Sequence, residues 1–459
     1  MVQVFGYRHQ PVKGLYRTST YQPFLYILLT LINPVTYQAF STIFLRLPYW
    51  IIIYLPKYWR PRPSWSLKRC VMVCTRLTCL RLRSADYYNL FVVDIDELGQ
   101  AYNGYHRQVN ALISPCGCES MLTFIHRSGE FAPCPNHLAI TEGPGVKGAW
   151  VEAAPHLIIG EVALWASVAG VKPTRIPGYW YDKPGADIPI GQKPMPGEKV
   201  IFCLHGGGYT LLSAHPNDFV GVIIRKIIQH CEPVQRAFAL EYRLSSTDPL
   251  PNANPFPAAL IDAIAGYNYL VNIVGFDPSD IIIEGDSAGG NLTLALTRYL
   301  VEHRDQPEIP APPSGLILNS PWADLSNSHD GPNSSLTINA NKDYLFDMNT
   351  MRGLWSRQSF VGPHGLDAAA SNCYISPACK NITTSFKGFP RTFISVGGVE
   401  TLYDCIVTLK NRMMADMGEG DGDGQVTFYE APDAAHDYIT LPWFEPERTE
   451  TLQAIGKWL

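Results

Sequence analysis

The sequence lacks an excess of basic residues: 36 Lys and Arg stand against 41 Asp and Glu, a net charge of −5. No basic face is there to neutralise phosphates, so nucleic acid is excluded as a partner. A disulfide framework is missing as well, since the eleven cysteines are an odd number without a repeated spacing. Metal-ligating residues do gather at Cys116, Cys118, His126, Cys134 and His137. Their Cys-x-Cys and Cys-x-x-His spacings match no structural zinc pattern, and no metal is expected. Finally, a clean membrane-spanning run is wanting. Pro23–Ile32 is about half the length a spanning helix needs, and the longer stretch from Val35 to Leu55 is interrupted by Arg46 and Pro48.

What is present in that region is aromatic and cationic. Tyr49, Trp50, Trp59 and Trp65 lie among Lys57, Arg60, Arg62, Lys68, Arg69 and Arg76, the composition of a headgroup-level anchor. Residues 1–60 are therefore expected to be a retained membrane anchor, since no small-x-small cleavage site follows the first apolar run. The alternative is an aromatic helical pair packed on a soluble domain. A membrane location follows from the anchor reading, with the endoplasmic reticulum as the candidate. Arg8, Lys13 and Arg17 blunt the charge asymmetry that would set the side. Residues 61–149 read as a poorly organised linker and cap-proximal insertion.

From about residue 150 short apolar runs alternate with helix-period segments. Strands are expected at Val200–Leu204, Ala237–Tyr242, Ile281–Glu284, Leu316–Asn319, Thr392–Val396 and Val426–Glu430, with helices between most of them. Strands written as near-continuous apolar runs are buried on both faces, which makes this an α/β fold with a mostly parallel sheet.

Four stretches of that fold carry chemistry. Ile281-Ile282-Ile283-Glu284-Gly285-Asp286-Ser287-Ala288-Gly289 runs from a strand through Gly-x-Ser-x-Gly into a helix, the pattern of a nucleophile elbow that lifts Ser287 clear of the sheet. After an earlier strand comes His205-Gly206-Gly207-Gly208, where consecutive glycines leave backbone N–H groups free to face a developing oxyanion. A serine hydroxyl also needs a base, and the base an acid to hold its tautomer. His436, in a loop of small residues after the last strand, is the best placed histidine; His215 and His230 read as polar helix positions. For the acid, Glu400 lies in the loop after a strand and is preferred to Asp404, which falls in the first turn of the following helix. The chain order Ser287, Glu400, His436 is that of the α/β-hydrolases.

Together with Tyr242-Arg243-Leu244, Phe256-Pro257-Ala258-Ala259 and Ser320-Pro321-Trp322-Ala323-Asp324-Leu325, these motifs resemble the hormone-sensitive-lipase branch of the α/β-hydrolases over residues 150–459. Leu47-Pro48-Tyr49-Trp50 and Trp59-Arg60-Pro61 are similar to fungal membrane-anchored members, including steryl acetyl hydrolases. The resemblance implies that Gly207, Gly208 and Ala288 supply the oxyanion-hole amides. It also implies a cap built from about 150–190 and 322–388. The family usually has aspartate where Glu400 stands.

The expected activity is that of a serine carboxylesterase or lipase, with no cofactor, acting on a lipophilic ester such as an acetylated sterol or other short-chain lipid. Acyl transfer to an alcohol uses the same groups. A catalytically silent small-molecule receptor would be expected to lack a triad member, and here all three positions are filled.

Overall fold

The computed structural model describes residues 41–75, 137–345 and 351–459. The chain divides into two units, residues 1–52 and 53–459. At the start of the described residues a π-helical turn, Thr42–Arg46, runs into helix α1, Leu47–Tyr54. Pro48 thus lies inside a continuous helical run, directly after the π-helical turn, where its missing N–H and its ring disturb the regular bonding of the turn before it. Among the described residues no helix is long and apolar enough to cross a membrane. The expected span is therefore not seen in its described part, and residues 1–40, with the first apolar run, lie outside the described residues.

The larger unit is built on one eight-stranded sheet. Its strands are β1 (Lys147–Val151), β2 (Ile176–Asp182), β3 (Lys199–Leu204), β4 (Val234–Leu240), β5 (Ile281–Asp286), β6 (Gly315–Asn319), β7 (Arg391–Gly397) and β8 (Val426–Ala431), in the spatial order β1-β2-β4-β3-β5-β6-β7-β8. Pairs β1–β2 and β2–β4 are antiparallel and all others parallel. The helices are α2 (Gly160–Ala169), α3 (Gly221–His230), α4 (Ala258–Asn268), α5 (Ala288–Glu302), α6 (Ser335–Ile338), α7 (Met351–Val361), α8 (Leu366–Ser371), α9 (Tyr403–Met417) and α10 (Glu447–Trp458).

Strand β3 shows why the central strands read as unbroken apolar runs. Val200, Phe202 and Leu204 join the core formed with α2, α4, α5 and α9, whereas Ile201 and Cys203 join a second core formed with α3 and α10. Both faces are covered, so no position is left for a polar alternation. The sequence did not announce β1 and β2. Ile176-Pro177-Gly178-Tyr179-Trp180-Tyr181 is buried along its whole length and has neither alternation nor a simple aliphatic run. Both strands come from about 147–182, so much of the stretch expected as cap belongs to the sheet, with α2 between them. Helices α6, α7 and α8 fall within the other cap stretch, 322–388.

The described part of the expected linker, residues 61–75, is firmly attached. Trp65 is fully buried, donates from Nε1 to Asp433 O at 2.8 Å, and packs edge-on against Phe444. Arg62 bonds Asp433 Oδ1 at 2.9 Å and Pro432 O, and Arg69 makes a two-pronged pair with Glu447, both bonds 2.8 Å. Arg60 donates to the carbonyls of Tyr54, Leu55 and Trp65. Trp65, Arg62 and Arg69 therefore serve the protein fold, and the lipid-facing role expected of them is corrected. Burial in a protein core and bidentate pairing occupy the groups that would meet headgroups.

Candidate active site

Ser287 sits between β5 and α5 with φ 52° and ψ −117°, a region that costs a non-glycine residue strain. The strain is held by hydrogen bonds on both sides of the serine. Its N–H donates to Asn319 O at 2.9 Å, and Trp322 N donates to its carbonyl at 2.8 Å. The flanking glycines are there for space: a Cβ on Gly285 would overlap the carbonyl of Gly289, and one on Gly289 would overlap the carbonyl of Leu204. Local sequence thus dictates the turn.

The glycine loop follows β3, the strand next to β5. Gly207 has φ 107°, and a Cβ on it would strike Leu211 O. Among the described residues the N–H groups of Gly207 and Gly208 have no internal hydrogen-bond acceptor. Ala288 is the first residue of α5, whose N–H lacks a helical partner. These are the three amides expected at an oxyanion hole. Asp286, just before the serine, ties the two loops together by accepting from Gly206 N at 3.0 Å. Burial raises the Asp286 carboxyl well above the usual carboxylate range. His205 is a supporting residue: its Nδ1–H donates to Gly206 O at 2.7 Å, Tyr242 stacks on its ring, and burial lowers its pKa to about 4, so it is neutral. Phe360 of α7 lies flat on Tyr209, the residue after the three glycines, with ring centroids 3.8 Å apart.

Glu400 and His436 come from the turns after β7 and β8, on the same side of β5. The two are side by side, Glu400 Oε2 lying 3.9 Å from His436 Nδ1, and both are buried. Glu400 Oε2 accepts from Ser320 Oγ at 2.7 Å and from Gly397 N at 3.2 Å. Burial lifts Glu400 to about 8, partly offset by His436. Asp404 is occupied elsewhere: its Oδ2 accepts from Ser335 N at 2.9 Å, in the first turn of α9.

The residue after the histidine introduces a feature that the motifs did not reveal. Asp437, in the left-handed region with φ 44°, places Oδ2 3.1 Å from His436 Nε2, the ring nitrogen away from Glu400. Burial alone would lower the histidine, but Asp437, then Glu400 and Asp343, outweigh it and raise His436 to about 9. Sequence reasoning also missed Ser320 and Asn291. Asn291 is fully buried, accepting from Tyr209 Oη at 2.6 Å and donating to Trp322 O and Ile375 O at 3.0 and 2.9 Å. Asn291 follows the elbow motif directly and Ser320 opens Ser-Pro-Trp, so each stood beside a visible signal whose role needs a distant partner.

Among the described residues no three His, Cys, Asp or Glu side chains gather as metal ligands. Cys116, Cys118, His126 and Cys134 lie outside the described residues. The seven described cysteines are free thiols.

The profile of the alpha/beta hydrolase fold family matches residues 201–440, more than half of the chain, and the protein belongs to that family. Within it, the His-Gly-Gly-Gly and Gly-Asp-Ser-Ala-Gly-Gly motifs are those of the hormone-sensitive-lipase-like members. An esterase of Acinetobacter venetianus is 31% identical over 208 residues, 45% of this chain and 58% of that protein. An acetyl-hydrolase of Streptomyces hygroscopicus is 29% identical over 265 residues, 56% and 73% of the two chains. Steryl acetyl hydrolase 1 of Saccharomyces cerevisiae is 29% identical over 145 residues, 31% of each. The match thus spans less than two thirds of the Acinetobacter esterase and about a third of the yeast protein.

Proposed function

We propose that this protein is a serine carboxylic-ester hydrolase. The observation that carries the reading is the convergence of a strained serine elbow, a loop with two unbonded glycine amides, and a buried Glu400–His436 pair at the ends of neighbouring parallel strands. Ser287 Oγ attacks the ester carbonyl while His436 Nε2 takes its proton. Amides of Gly207, Gly208 and Ala288 bind the oxyanion, worth about 3 kcal/mol for each donor. The imidazolium then protonates the leaving alcohol, and a water activated by the same nitrogen releases the acyl group from Ser287. Glu400 orients the ring through Nδ1. For the first step the Asp437 carboxylate must leave Nε2.

The substrate we infer is a lipophilic ester with a short acyl group, such as an acetylated sterol. Support comes from the names of the Streptomyces and yeast relatives and from the exposed apolar surface at Leu55, Tyr58 and Trp59. That surface suits a lipid interface, so a membrane location belongs to the same proposal. Labelling with a fluorophosphonate, followed by turnover of steryl acetate and of a long-chain steryl ester in vesicles, tests the proposal. Wild type should label and Ser287→Ala should not. Undiminished labelling of Ser287→Ala refutes the serine mechanism, and equal turnover with long-chain and short-chain acyl groups refutes the acyl preference.

A further inference from the structure

One buried carboxylate outside the expected triad touches both of its distal loops. Asp343 is fully buried in the turn that follows α6. Its Oδ2 accepts from Thr401 N at 2.7 Å and Thr401 Oγ1 at 3.0 Å, immediately after Glu400. Its Oδ1 accepts from His436 N at 3.2 Å and from Tyr344 N at 2.7 Å. A single side chain thus joins the backbone of the acid loop to the backbone of the histidine loop, using nearly all the acceptor capacity of a carboxylate.

The neighbours of Asp343 reinforce one side of this bridge. Ser335, Asn339 and Asp343 recur every four residues, the spacing that keeps side chains on one face of a helical turn. Ser335 Oγ donates to Thr401 O at 2.7 Å and Asn339 Nδ2 donates to Glu400 O at 3.0 Å. Two carbonyls and one amide of the acid loop are therefore gripped by this one face, but only Asp343 continues to His436.

We propose that Asp343 is a positioning residue of the active site, fixing the separation of Glu400 and His436 by bridging their backbones. The need for such a bridge is physical. The acid and base sit on different strand ends, with 35 residues between them in sequence including a whole helix and strand, so contacts across the two turns must set their distance. Val399 N donates to Ala434 O at 3.0 Å, and Ser320 Oγ accepts from Asp437 N at 3.3 Å while donating to Glu400. Asp343 alone binds the amides of both Thr401 and His436. A misplacement of about 1 Å can cost on the order of a hundredfold in rate.

The inference rests on the proposed hydrolase reading for its kinetic consequence, but its structural core has a separate readout. In Asp343→Asn, whichever way the amide turns, its N–H₂ faces donors on one of the two loops. Hydrogen exchange of the full-length protein should then rise at least tenfold at the amide that meets the N–H₂, Thr401 or His436, and in Asp343→Ala, which removes both oxygens, it should rise at both. Exchange unchanged at either amide in Asp343→Ala overturns the bridge whatever the activity does. On a short-chain nitrophenyl ester, kcat of Asp343→Asn should fall about 10–100-fold with KM within threefold. In a Glu400→Gln background the same change should add less than threefold, because the alignment it maintains is already spent. A full additional loss there marks a merely structural residue and overturns the proposal. Ser335→Ala, which loosens the acid loop alone, should cost less than Asp343→Asn; an equal or larger cost refutes the bridging role. Should Asp343→Asn not fold, Thr401→Val removes one donor from Oδ2 and should show the same non-additivity with Glu400→Gln at smaller amplitude. Wild type that neither labels nor turns over refutes the hydrolase reading and leaves the exchange test to decide the bridge.

Discussion

The two halves of the site are built by opposite means. On the nucleophile side the serine elbow and the glycine loop are shaped by backbone, with small residues and a strained φ holding groups within a few residues of one another. On the acid–base side the positions of Glu400 and His436 depend on buried polar side chains that reach across the fold. Ser320 is 80 residues from Glu400, and Asp343 is 93 residues from His436. The first half should therefore fail abruptly when volume is added, and the second should respond in grades to charge and hydrogen bonding.

The sharpest way to break this contrast is Gly289→Ala. A Cβ there overlaps backbone, which no rotamer change relieves, so esterase activity should drop by at least about 10³-fold, with a lowered melting temperature. Activity near wild type in a nitrophenyl ester assay would show that the elbow has slack. Next comes the acid. Glu400→Gln should lower kcat by roughly 10²–10⁴-fold, since an amide cannot stabilise the imidazolium. Asp404→Asn should stay within about threefold, because its carboxylate serves Ser335. The reverse order would transfer the acid role to Asp404.

A graded effect is expected from Asp437→Asn. The carboxylate raises the His436 pKa, so its removal lowers that pKa and keeps the base neutral to lower pH. The acidic limb of the kcat/KM profile should move down, and activity below neutral pH should rise several-fold; an unmoved limb would show that Asp437 is not on Nε2 in solution. The smallest effect concerns stability away from the site. Glu241 is buried beside Ser213 and Ala214, and burial raises it from the ordinary carboxylate value of 4.5 to about 8. A carboxyl raised in the folded state favours folding below its unfolded pKa, and that contribution is lost as pH rises through the folded one. Glu241→Gln should thus flatten the fall in melting temperature between pH 4.5 and 8. An unchanged slope would show that this carboxyl finds compensation that the fold does not display.

The contrast also explains how much could be read in advance. The parallel strands were legible because a strand covered on both faces must be apolar throughout. The elbow and glycine loop were legible because their geometry is set within a few residues. Strands β1 and β2 were not: β1, Lys147–Val151, is five residues with too short an apolar run to stand out, and in β2 Pro177, Gly178 and three aromatics suppress the usual periodicity. Trp65, Arg62 and Arg69 were misread because an aromatic–cationic stretch looks the same whether it meets a headgroup or a protein surface; Asp433, Phe444 and Glu447, more than 360 residues away, decide it.

The sequence by itself determined the α/β architecture, the nucleophile turn and the order in which serine, acid and histidine follow along the chain. It did so because burial on two faces and backbone crowding act over neighbouring residues. Only the tertiary structure decided that Glu400 rather than Asp404 stands beside His436, that Asp437 occupies Nε2, and that Asp343 joins the two loops. Hydrogen bonds and charges act over a few ångströms in space, and their partners come from parts of the chain that only folding brings together.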